Sequence, residues 1–183
     1  MKVLGILENP EFPLKWANTE YLRENTSLRK EIYLNDSEDV QNDLIYLFYN
    51  LFGNCKDQLL VYHKLWWEAC LSVWNISMDT YDFDVDSKPE DCRNYLNMLS
   101  ESGIPEDYSG CCKCNAWDTF LPIILRCIIS GEAPYSPLFV NAKDEFFFYF
   151  HHTGSIGIYF RDRENKRVQR ILETAFELYN VVD

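Results

Sequence analysis

The chain carries no recognisable catalytic or cofactor motif, no internal repeat, no low-complexity block and no linker rich in Pro, Gly or Ser across its 183 residues. A chain of that length without a divider buries one continuous core and stops short of the length at which a second becomes usual, so one domain over residues 1–183 is expected. Long hydrophobic runs are missing too. Met1-Lys2 leads straight into Val3-Leu4-Gly5-Ile6-Leu7, which is too short to cross a bilayer or to serve as the apolar region of a signal peptide. No membrane is therefore expected as a partner, and the cytoplasm is the expected location.

Positive charge is scarce: 17 Lys and Arg stand against 29 Asp and Glu, a formal net charge of -12. Such a surface repels phosphate backbones unless its few cations are gathered in one place, so the expected partner is a basic protein and not nucleic acid. Cysteine is present without order. The seven, at positions 55, 70, 92, 111, 112, 114 and 127, are an odd number without the spacing of a disulfide framework, and they read as reduced thiols, most of them buried as small apolar residues.

What is abundant is apolar surface, 47% of residues with 16% aromatic, enough to offset chain entropy. Val3 to Leu7 suits a short strand, Pro10 and Pro13 an irregular stretch, and Asn18 or Thr19 could cap a weak helix toward Lys30. Asp36 and Asp39 form a cap-like pair before Val40, Leu44, Leu47, Phe48 and Leu51 at helical spacing, with Gly53 as the stop. Gln58 to Lys64 fits either period, and a strand leading into a Trp-rich turn or helix is expected. Tyr81 to Asp86 (YDFDVD) alternates strictly and predicts a strand with one wet face. Ser87 can cap a helix carrying Cys92, Tyr95, Leu96 and Leu99 as far as Gly103. A second helix is expected from Asn115 to Gly131, bent at Pro122. PLFVNA, EFFFYFHH and SIGIYF, separated by Lys143-Asp144 and Thr153-Gly154, predict an antiparallel meander. An amphipathic helix from about Asn165, with Val168, Ile171, Leu172, Ala175, Tyr179 and Val182 on one stripe, would cover it. The expected class is α+β, a single domain whose C-terminal meander packs against several helices.

Cys111-Cys112-Lys113-Cys114 follows Gly110 in what reads as a polar loop. Structural zinc wants two spaced ligand pairs, and this cluster supplies no CxxC and no second pair, so no metal is assigned and free thiols are expected. His151 and His152 adjoin at a strand end, where neighbours point to opposite faces and cannot converge on one atom without a bulge. His63 is unlinked to either. No catalytic residue or cofactor is assigned, and the chain is not expected to be an enzyme. Asp82, Asp84 and Asp86 resemble the opening of a calcium loop, but Ser87 replaces the turn glycine and Arg93 the closing glutamate.

The remaining feature is an acidic stretch, Asp79, Asp82, Asp84, Asp86, Glu90 and Asp91, offset only by Lys88. Carboxylates so spaced repel one another unless cations relieve them. Those cations could be the chain's own Arg161, Arg163, Lys166, Arg167 and Arg170, or they could belong to a basic partner steered onto the surface. The six acidic residues are the candidate partner-binding site. Of the aromatic runs, Trp66-Trp67 with Trp74 and Phe146 to Phe150, core packing is the expected role, with interface anchors as the alternative.

Val140 to Phe160 (VNAKDEFFFYFHHTGSIGIYF), followed by an amphipathic helix, resembles the ending of several small bacterial immunity proteins that neutralise polymorphic or contact-delivered toxins. The resemblance implies a small acidic cytoplasmic domain without an active site, which binds a cognate toxin, often a basic nuclease, through a carboxylate-rich surface. The function expected is therefore a stoichiometric protein-binding module that occludes a basic toxin. Two alternatives stay open: a small hydrolase or metal-binding protein using Cys111, Cys112, Cys114, His151 or His152, and a subunit of a larger complex with no toxin involved.

Overall fold

The period-two runs near the C-terminus pair as hairpins in a computed structural model that describes residues 2–25 and 27–183. Strands β7 (Leu138–Asn141), β8 (Phe146–His151) and β9 (Ser155–Phe160) form the expected meander, in register Phe139 with Phe148 and Phe148 with Ile158. Five more strands extend it: β1 (Leu4–Ile6), β2 (Leu28–Tyr33), β3 (Leu60–His63), β6 (Gly110–Cys114) and β10 (Asn180–Val182). The eight-stranded sheet has the order β1-β6-β3-β7-β8-β9-β2-β10 with every pairing antiparallel. A separate two-stranded ribbon joins β4 (Trp74–Asn75) to β5 (Thr80–Tyr81).

Among the described residues there are four α-helices, each of 13 residues: α1 (Val40–Phe52), α2 (Glu90–Ser102), α3 (Trp117–Ile129) and α4 (Lys166–Leu178). None is long and apolar enough to cross a membrane. Their apolar stripes share one core with the inward residues of the sheet, which is the layered solution that hides one helix stripe against one sheet face. Phe148 shows the packing at its densest, with its ring stacked on Phe52 of α1 at 3.8 Å and on Phe139 at 4.9 Å. The helix ends are local chemistry. Asp39 accepts the Asn42 amide at 3.1 Å, Asn165 accepts the amides of Arg167 and Val168, and Gly103 closes α2 at φ 71°, where a Cβ would be strained.

Several expectations need correction. Asn18 to Lys30 is not a helix. Asn18 instead accepts the amides of Glu20 and Tyr21, a single 3-10 turn covers Leu22–Glu24, and Leu28–Tyr33 is strand β2 between β9 and β10. Cys111-Cys112-Lys113-Cys114 is no polar loop but strand β6, with all three thiols buried. Tyr179 and Val182 leave the α4 stripe, because the chain turns extended at Tyr179 and pairs back onto β2. Ser87 does not cap α2, whose N-cap position is Pro89, and the third helix starts at Trp117 rather than at Asn115. Gly53 does end α1 as its C-cap, though it is right-handed at φ -52° and leads into a 3-10 segment, Gly53–Gln58.

A smaller apolar cluster lies on the opposite face, where Leu14, Phe12 and Trp16 from the segment after β1 pack on Cys111, Leu138, Val140, Phe147 and Tyr159. Alternation explains the division, since Cys112 joins the helical core while its neighbour Cys111 joins this cluster.

Candidate functional site

The acidic stretch does not form the strand that its alternation predicts. Pairing ends after Tyr81, because Asp side chains satisfy the backbone locally: Asp82 accepts the Asp84 amide at 2.9 Å, and Asp84 accepts the Asp86 amide at 3.2 Å while capping a 3-10 turn at Val85–Ser87. This competition between short carboxylate side chains and the ladder is what makes Asp a strand breaker. The three aspartates therefore do not share a strand face.

The six acidic residues also differ in their partners. Asp82 meets the buried Lys88 ammonium at 3.0 Å, and its carboxyl lies below the ordinary range, chiefly through the Asp84 amide and then through Lys88. Asp91 meets Arg126 at 3.3 Å. Asp79, Asp84, Asp86 and Glu90 are exposed and, among the described residues, join no ion pair. The basic residues before and on α4 do not relieve them, since Arg167 pairs with Asp144 at 3.5 Å and Arg161, Arg163, Lys166 and Arg170 stand in solvent.

Just before Asp84, Asp86 and Glu90 in the chain, and with Asp79 in its turn, the β4–β5 hairpin presents an apolar tip. Ile76 is 86% exposed and Met78 72%, with Asp79 at positive φ turning the chain back. Trp74 and Tyr81 pack edge to face at 4.9 Å on the hairpin stem and remain 41% and 43% exposed. Leu71 is exposed at its base. Trp66 and Trp67, by contrast, are buried, with their indole N–H groups donating to Gly110 O at 2.9 Å and Ile104 O at 3.0 Å. The aromatic pairs named from the sequence thus divide, with Trp66-Trp67 and most of Phe146–Phe150 in the core and Trp74 on the surface.

A second feature, marked in the sequence only by His151 and His152, is a cleft of about 830 Å3 built on β2, β8 and β9 and lined also by Ile128 of α3 and the turn after it. Register places Arg29 beside Tyr159, Glu31 beside Gly157 and Tyr149, and Tyr33 beside Ser155 and His151. Glu31 is buried and accepts from Arg29 at 2.7 Å and from the Ser155 hydroxyl at 2.6 Å. Gly157 leaves the space in which the Tyr149 ring lies, since a Cβ there would stand 2.7 Å from that ring. His151 and His152 both line this cleft with rings 4.9 Å apart. The strand ends at His151, so the alternation that would separate them does not reach His152. His63 is elsewhere, with Nδ1 accepting the Leu65 amide at 3.0 Å, and burial pushes its pKa down to about 4.

The cysteines singled out from the sequence do not converge on these histidines. Burial pushes Cys111, Cys112 and Cys114 each up to about 12, so at neutral pH they are apolar thiols and poor nucleophiles. A different group does converge. Cys70, Cys92 and Glu132 place their ligand atoms within 4.8 Å of one another, brought together from a loop, the first turn of α2 and the turn after α3. Comparison with family models, with curated proteins and with solved structures finds no match for this chain.

Proposed function

We propose that the chain is a stoichiometric protein-binding module of the cytoplasm, an immunity protein that occludes the active surface of a cognate basic toxin. The β4–β5 hairpin carries this reading. An apolar tip exposed to this degree, with Asp79 in its turn and carboxylates without internal cations following in the chain, suits an interface with a desolvated centre and a polar rim. Ile76 and Met78 would enter an apolar pocket on the partner, and Asp79, Asp84, Asp86 and Glu90 would meet its Lys and Arg side chains. Carboxylates of this kind raise the association rate and fix register more than they add affinity.

The test is a calorimetric titration with the product of the gene immediately upstream. A one-to-one complex is expected. Burying an Ile and a Met side chain contributes roughly 1.5–3 kcal/mol each, so Ile76→Asp with Met78→Asp weakens the complex by at least about 100-fold. Asp84→Lys with Asp86→Lys slows association and flattens its salt dependence. Unchanged affinity in both variants removes the hairpin from the mechanism, and absence of any complex removes the toxin partner.

A further inference from the structure

The strongest unassigned cluster is drawn from both ends of the segment that carries the β4–β5 hairpin and from the turn after α3. Cys70 immediately precedes the excursion that carries the hairpin, and Cys92 immediately follows the acidic stretch. Their sulfurs and a Glu132 carboxylate oxygen all lie within 4.8 Å of one another, and both cysteines are buried. The surrounding bonds hold the group in place. Ser72 donates its amide and its hydroxyl to Glu132 Oε2, at 3.4 and 2.6 Å, and both bonds fall on that one oxygen. The Leu71 amide donates to Glu132 O at 2.7 Å, and the Ala133 amide to Cys127 O at 2.9 Å.

A third thiol, Cys127, lies near Cys70 and donates to Asp91 O at 3.3 Å. Two buried sulfurs and an oriented carboxylate thus already converge.

We propose that Cys70, Cys92 and Glu132 bind a single zinc ion, with the Cys127 thiol or a water in the fourth position. Zinc takes four ligands in tetrahedral array and favours thiolate sulfur with carboxylate oxygen as a tolerated partner. Binding displaces the remaining thiol proton or protons to solvent, so affinity rises with pH. Two thiolates and a carboxylate exceed the ion's charge by one. The ion would fasten both ends of the segment from Leu71 to Asp91 to the turn after α3. The site stands on these side chains alone, whatever the hairpin binds.

The test uses the full chain, reduced and stripped of metal, titrated with Co2+ as a spectroscopic substitute. Uptake of one ion per chain, with a sulfur-to-cobalt charge-transfer band and displacement by Zn2+, is the expected result. Glu132→Gln weakens Zn2+ by roughly tenfold or more, while Cys112→Ser and Cys114→Ser leave the stoichiometry unchanged. Cys92→Ser weakens uptake and lowers the intensity of the band, and if that variant does not fold, the wild-type spectrum and Glu132→Gln still decide. A folded, reduced wild-type chain that takes up neither ion overturns the proposal. So does recovery of a Cys70–Cys92 disulfide from protein alkylated in its native state.

Discussion

Removing Arg29 isolates the energetics of the cleft. Its guanidinium lies 2.7 Å from a Glu31 side chain that is 8% exposed, while Arg29 itself is 41% exposed and sits 5.6 Å above the Tyr159 ring. Two charges about 4 Å apart at an effective dielectric of about 20 attract by roughly 4 kcal/mol. Solvent screening at the exposed arginine cuts that to about 2 kcal/mol, and loss of the stacked cation adds about 0.5 kcal/mol. Arg29→Met should therefore destabilise by about 2.5 kcal/mol, much of it from a buried carboxylate left with Ser155 as its remaining donor. Glu31→Gln alone still accepts from Ser155 and should cost about 1.5 kcal/mol. The double variant should cost about 2 kcal/mol, less than Arg29→Met by itself, because the uncompensated charge is gone. Urea unfolding followed by fluorescence measures all four proteins, with Arg29→Met shifting the midpoint by about 1 M. If the double variant is less stable than Arg29→Met by the full cost of Glu31→Gln, the two residues are uncoupled and the reasoning fails.

Gly157→Ala should cost about 1–3 kcal/mol by driving the Tyr149 ring off the sheet, and Tyr149→Ala in the same chain should recover most of it, as read by the same unfolding curves. Cys111, Cys112 and Cys114 should resist thiol reagents in the native state at pH 8 and react on denaturation. Because their folded pKa values of about 12 exceed the ordinary thiol value of 9.0, the unfolded chain loses these protons first. Stability is thus intact below pH 9.0 and falls between there and about 12. His63 works in the opposite direction: its folded value of about 4 lies under 6.5, so the unfolded chain binds the proton first. Stability is full above 6.5 and declines toward about 4, and His63→Gln should flatten that limb of the curve.

Local pattern carried the meander and all four helices, since period two and period 3.6 need only neighbouring residues, as do caps such as Asp39 and Asn165. Where the pattern was ambiguous, partners distant in the chain decided. Strand β2 reads poorly because Arg29 and Glu31 interrupt its apolar run, and only β9 and β8 alongside give those charges a place on the face away from the helices. Strand β6 reads as a loop because Gly110 and the cysteines lack the branched and aromatic signals of a strand, yet it lies between β1 and β3, where small buried side chains fit. The YDFDVD alternation misled for a local reason that hydropathy does not register, the bonds from Asp side chains to amides two residues on.

The amino-acid order by itself determined the α+β class, the C-terminal meander and the excess of negative charge, because each follows from composition or from neighbours a few residues apart. Tertiary structure decided which carboxylates remain without cations, which aromatics reach the surface, and that Cys70, Cys92 and Glu132 face one another. Those outcomes depend on where the helices bring remote segments together against the sheet, and no spacing along the chain encodes that distance.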